Sequence, residues 1–245
     1  MNTNTNTNID KRKSYYLMID TETCNAYTTI GKNGKENLCL DDSLVYDIGC
    51  AIVDKKGHIY EERSFVISET FFNELELMNT CYYAKKLPQY WNDMHNGTRI
   101  PVDIWAARRD IRALCEKYHV KAIIAHNARF DYNALNNTVR YYSKSVCRYF
   151  LPYGIEIWDT LKMCNVFAKS PSYRKFCEDN GYMTANKPPR PRKTAEVLYR
   201  YISGNTDFDE AHTGLEDVRI EAKIFAHCNK QHKKMNRLLF APKVS

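Results

Sequence analysis

The 245-residue sequence has no C-x-x-C pair, no apolar run that approaches the length of a membrane span, and no apolar signal region at its N-terminus. Its nine cysteines, at positions 24, 39, 50, 81, 115, 147, 164, 177 and 228, are odd in number and unpatterned. That argues against a disulfide framework and against a zinc-ribbon site, and for free thiols in a reducing compartment. A bilayer-spanning helix needs about 20 consecutive apolar residues. The expectation is therefore a cytoplasmic protein with no membrane partner. No domain-length repeat and no convincing linker divides the chain. After Glu221 there is no acid at all, while Lys223, Lys230, Lys233, Lys234, Arg237 and Lys243 follow. Such a charge run is ordinarily a solvated helix face and tail; tracking of phosphates is the alternative.

What is present fits one large globular domain. Composition is 44% hydrophobic and 27% charged, and a chain of this length can bury a sizeable core. The net charge of +7 suits a polyanionic partner. Residues 2–8 alternate Asn and Thr and cannot bury anything, so residues 1–13 read as a disordered tail. A single domain over 14–236 and a C-terminal tail over 237–245 complete the expected organisation. Strands are expected near 15–20, 44–53, 59–67, 120–125 and 155–158, the second and third joined as a hairpin through Asp54-Lys55-Lys56-Gly57. Residues 25–43, with Gly31-Lys32-Asn33-Gly34-Lys35, read as a long loop or an exposed hairpin. A helical texture runs from 69 to 118, and further helices are expected after Phe130, near 160–168, 172–179 and 194–202, and from Leu215 into the 230s. This order predicts an α/β fold: a mixed five-stranded sheet with helices on its faces.

The strand Tyr16-Leu17-Met18-Ile19 runs straight into Asp20-Thr21-Glu22. Side chains alternate along a strand, so Asp20 and Glu22 project to one side at its carboxyl end. Two carboxylates aimed at one point repel unless a cation lies between them, and hard ions such as Mg²⁺ or Mn²⁺ prefer oxygen ligands. Sheets of this kind build sites at the carboxyl ends of strands. Asn127 and Asp131 follow one such end and Asp159 closes another. In Thr213-Gly214-Leu215-Glu216 a capping box is expected, which would place Asp217 in the first turn of the last helix, ionised with the help of the helix dipole. His212 would lie just outside, on a mobile loop. The segment Asn186 to Lys193 is proline-rich and basic, a stiff connector leading toward that loop.

Taken together, Ile19-Asp20-Thr21-Glu22-Thr23, His126-Asn127-Ala128-Arg129-Phe130-Asp131 and His212-Thr213-Gly214-Leu215-Glu216-Asp217 resemble, in order, the three motifs of the DEDDh 3′–5′ exonucleases. That family has a ribonuclease-H-like fold. Asp47-Ile48-Gly49 is similar to its second strand. The resemblance spans residues 15 to about 230. It implies two divalent metal ions, Mg²⁺ or Mn²⁺, with Asp20 bridging them, Glu22 and Asp217 completing one, and Asp131 supporting the other. His212 would be the general base, and Thr21, Thr23, Asn127 and Phe130 would sit beside the terminal nucleotide. His126 also stands five residues before an acid, but it ends a buried strand, which favours a structural role for it and the base role for His212. The sequence departs from the family after the first motif, where Cys24-Asn25-Ala26 and an insertion follow. The implied partner is nucleic acid, DNA first and RNA as the alternative, and a non-catalytic binding subunit is the third reading. Any proofreading role would need a polymerase or other replication or repair partner, since no polymerase region is present.

Overall fold

The computed structural model describes residues 9–25, 27–30, 36–81 and 83–240. The Asn/Thr repeat over 2–8, the glycine-rich segment 31–35 and the last five residues lie outside them. In chain order the strands and helices are β1 (Tyr16–Cys24), β2 (Tyr27–Ile30), β3 (Glu36–Cys39), β4 (Leu44–Val53), β5 (Ile59–Ile67), α1 (Ser68–Asn73), α2 (Leu75–Met78), a 3-10 turn (Ala84–Lys86) and α3 (Leu87–His95). There follow β6 (Ile100–Val102), α4 (Ile104–Lys117), β7 (Ala122–Ala125), α5 (Arg129–Ser143), β8 (Glu156–Asp159), α6 (Thr160–Met163), α7 (Asn165–Ala168), α8 (Pro171–Asp179), α9 (Ala195–Ser203) and α10 (Gly214–Lys230).

The main sheet has the order β6-β5-β4-β1-β7-β8. β1 runs antiparallel to β4 and parallel to β7, and β4 runs antiparallel to β5. The mixed α/β fold is as expected, with one strand more. The sixth is β6, inside the stretch that reads as helical; it is three residues long and pairs Phe65 with Ile100 and Ile67 with Val102. Pro101 cannot donate to a ladder on both sides, which confines this strand to the edge. Residues 25–43 realise the hairpin alternative, with β2 and β3 forming a separate two-stranded sheet.

Period-two alternation in β1 divides the core. Leu17 and Ile19 face one layer, among Ile104, Ile111 and Leu114 of α4 and Ala134, Leu135 and Val139 of α5. Tyr16 and Met18 face the other, among Val218, Ala222 and Phe225 of α10 and Leu198 of α9. Each such side chain taken fully out of water contributes about 1.5–3 kcal/mol, so β1 is held firmly from both sides. Residues expected in the C-terminal tail belong to this packing: Leu239 is buried, its N–H donates to the Ile157 carbonyl (2.8 Å), and Leu238 bridges Trp158. Among the described residues, no helix is long and apolar enough to cross a membrane.

Candidate active site

The alternation that sorts the core also sorts the acids. Asp20 and Glu22 continue the Tyr16/Met18 face toward α10, while Thr21 continues the Leu17/Ile19 face toward α5. Carboxylate oxygens of Asp20, Glu22 and Asp217 all lie within 4.8 Å of one another. Thr21 Oγ1 donates to Asp131 Oδ1 (2.9 Å), which ties the first turn of α5 to the same strand end. A register shift between Glu22 and Thr23 ends the regular pairing with β4 there.

What brings α10 so close is glycine on both sides. A β-carbon on Gly49 of β4 would sit 2.0 Å from the Gly214 carbonyl carbon, and one on Gly214 would sit 2.5 Å from the Gly49 nitrogen. The helix start is then fastened by a buried network. Asp47, fully buried, accepts from Tyr90 Oη (2.6 Å), the Gly214 N–H (2.9 Å) and Arg99 Nη1 (3.2 Å). Arg99 Nη2 donates in turn to Glu216 Oε2 (2.9 Å). This changes the expected cap. Drawn to Arg99, the Glu216 carboxylate accepts from Thr213 Oγ1 (2.6 Å), and it is Asp217 that reaches back to the Thr213 N–H (3.1 Å).

The electrostatics also depart from expectation. Burial outweighs the helix dipole at Asp217, and with Glu210 nearby its carboxyl is pushed up to about 8. Burial, then Asp217, pushes Glu22 up to about 9, and burial pushes Asp131 up to about 7. Asp20 is raised well above the ordinary range by burial and by the surrounding carboxylates. Asp217 Oδ1 is buried with no hydrogen-bond partner. Oxygen donors in this density, left protonated or unpaired, fit a site for hard divalent cations.

The two histidines separate cleanly. His126 Nε2–H donates to the Lys193 carbonyl (2.8 Å), and its Nδ1 lies 2.9 Å from Thr160 Oγ1, so both ring nitrogens are committed. His212 has a left-handed backbone (φ 52°) and stacks on Tyr83, with ring centroids 4.1 Å apart and 10° between planes. It is held by an aromatic partner rather than loose on its loop, and burial lowers its pKa.

Asp20, Glu22, Asp217 and His212 line one cleft of about 980 Å³, together with Thr21 and Asn127. Thr23 and Phe130 are not among its lining residues, so the structure brings together only two of the four residues expected beside the nucleotide. Asn127 adopts φ 62° and its N–H donates to Asp159 Oδ1 (3.1 Å), so Asp159 shapes the loop. Across from the acids, the cleft is lined by Lys169, Arg174, Arg190, Arg192 and Lys193. The connector 187–193 owes its course to a short pairing with 182–184: the Thr184 N–H donates to the Arg190 carbonyl (2.8 Å) and the Arg192 N–H to that of Tyr182 (2.9 Å). Three lining residues escaped the sequence reading of the site. Tyr83 and Glu210 carry no sequence signal, but Glu221 stands four residues after Asp217, a spacing that puts both on one helix face.

No protein-family model matches this sequence, and no curated protein does. Solved structures do match in fold. A full-length 3′-exonuclease shares it with a TM-score of 0.58 at 10% identity, over 95% of this chain and 92% of that one. Exonuclease I of E. coli, in complex with a 5cy-dT13 oligonucleotide, gives a TM-score of 0.49 at 13% identity, over 89% of this chain and 41% of that one.

Proposed function

We propose that this chain is a metal-dependent 3′–5′ exonuclease of the DEDDh type, releasing nucleoside monophosphates from DNA 3′ ends. The observation that carries the reading is the meeting of Asp20, Glu22 and Asp217, oxygens within 4.8 Å, at one side of a cleft whose other side is basic. The name of the 3′-exonuclease with which the fold is shared supports the polarity. Asp20, Glu22, Asp217 and Asp131 would hold two divalent ions, Mg²⁺ or Mn²⁺. Bound there, such ions supply an activated water and stabilise the charge that develops on the phosphate and the leaving 3′-oxygen. The rest falls to the chain. His212 takes the proton of the attacking water; its Nδ1 is turned toward Glu210 Oε2 at 3.8 Å, which leaves Nε2 for the task. The basic side holds the phosphates of the strand, and Thr21 and Asn127 border the terminal nucleotide. Single-stranded ends are preferred, because fraying a duplex costs about 1–2 kcal/mol per base-pair step.

The test uses single-stranded and blunt-ended DNA, and RNA of the same sequence, labelled at the 5′ end. With Mg²⁺ or Mn²⁺ the expected product is a descending single-nucleotide ladder, fastest on single-stranded DNA and absent in EDTA or with Asp20→Asn. Internal cuts, immediate loss of the label as a mononucleotide, or full activity in EDTA would each refute the proposal.

A further inference from the structure

The acids at the cleft outnumber those assigned to the metals. Glu221 lines the same cleft as Asp20, Glu22 and Asp217, and it is 2% exposed. Its place one turn beyond Asp217 on α10 aims both side chains to one side. Other buried acids of this chain are provided for: Asp47 has Arg99, Tyr90 and the Gly214 N–H, and Asp159 accepts from the N–H groups of Asn127 and Leu161. Glu221 Oε2, by contrast, is buried with no hydrogen-bond partner, and among the described residues Glu221 takes part in no ion pair. The charges nearest it are those of other acids, Asp131 and Asp217 foremost, and it is the strongest charged influence on Asp20. A carboxylate shut away from water, among carboxylates and without a cation, is a costly arrangement that an amide or apolar side chain of the same size would avoid. A divalent ion removes the cost.

We infer that Glu221 is a fifth carboxylate of the metal centre, directed at the cation on the Asp20 side and setting how tightly that cation is held before nucleic acid binds. This rests on reading the cleft as a metal site. It also explains the basic side of the cleft: five carboxylates leave two dications with a net negative charge, and Lys193 and its arginine neighbours let a phosphate approach nonetheless.

The experiment compares the wild-type chain with Glu221→Gln, Glu221→Leu and, as a surface control, Glu62→Gln. Mn²⁺ is titrated by calorimetry without nucleic acid, and Tm is measured with Mn²⁺ and with EDTA. Both Glu221 variants should bind one Mn²⁺ about 10–100-fold more weakly, the usual consequence of losing a ligand-supporting group. They should melt higher than wild type in EDTA and gain less from Mn²⁺, with Glu62→Gln unchanged. Two variants guard against misfolding of one, checked by near-ultraviolet circular dichroism. Wild-type Mn²⁺ affinity in both Glu221 variants overturns this inference and leaves the two-metal reading standing. Absence of Mn²⁺ binding by the wild type, with or without an oligonucleotide, overturns both.

Discussion

His212 lies face to face with Tyr83 and is partly buried, two facts that decide what a base at this position can do. Stacking fixes the ring plane, so the imidazole keeps its aim between turnovers. Burial disfavours the charged form, so the neutral ring is present at pH 7 and the rate should fall only as pH drops below the ordinary histidine range. Replacing His212 with Ala should lower kcat about 10²–10⁴-fold, the usual worth of general acid–base catalysis, with the fold intact. Single-turnover cleavage of a 5′-labelled strand between pH 5 and 8 checks both points. A variant that keeps the wild-type rate, or a wild type whose rate is flat down to pH 5, would exclude His212 as the base.

At the scale of elements, the site is a consequence of how closely α10 sits on β4. Gly49 and Gly214 touch backbone to backbone, and a backbone atom cannot swing aside as a flexible side chain can. Gly49→Ala should therefore push the start of α10 off the sheet and carry Asp217 away from Asp20. The expected cost is about 1–3 kcal/mol, as for other overpacked cores, or roughly 2–10 °C in Tm for a protein of this size. Mn²⁺ affinity should fall with it. Thermal melting of the variant with and without Mn²⁺ is the measurement, and unchanged Tm and metal affinity would show that the contact does not set the distance between the acids.

The whole molecule carries its electrostatic strain in one place. Asp131, Asp217 and Glu22 are raised to about 7, 8 and 9, each first by burial, so the metal-free folded state holds protons that the unfolded chain has released. Raised folded values mean stability that is complete below the ordinary carboxylate range and is lost as pH rises through the folded values. The Tm of EDTA-treated protein should thus fall between pH 6 and 9, and the Tm gained on adding Mg²⁺ or Mn²⁺ should grow over the same range. Scanning calorimetry at both ends of the range tests this; equal metal-induced shifts at pH 6 and 9 would contradict it.

Local chemistry made much of this protein legible from its sequence. The apolar run into Asp20, the period-two alternation that pairs Asp20 with Glu22, and the helix that carries Asp217 all follow from neighbours a few residues apart. So does the mixed α/β fold, apart from β6, which is too short and too proline-bound to announce itself. Everything that depends on long-range approach waited for the tertiary structure. Arg99 took Glu216 from its cap, Tyr83 took hold of His212, and Lys193 and Thr160 occupied both nitrogens of His126. Burial raised Asp217 where the helix dipole alone would have kept it ionised, and it enclosed Glu221 among the other acids. Sequence spacing fixes which side of a strand or helix a residue faces, but partners and water are assigned only when distant segments close over them.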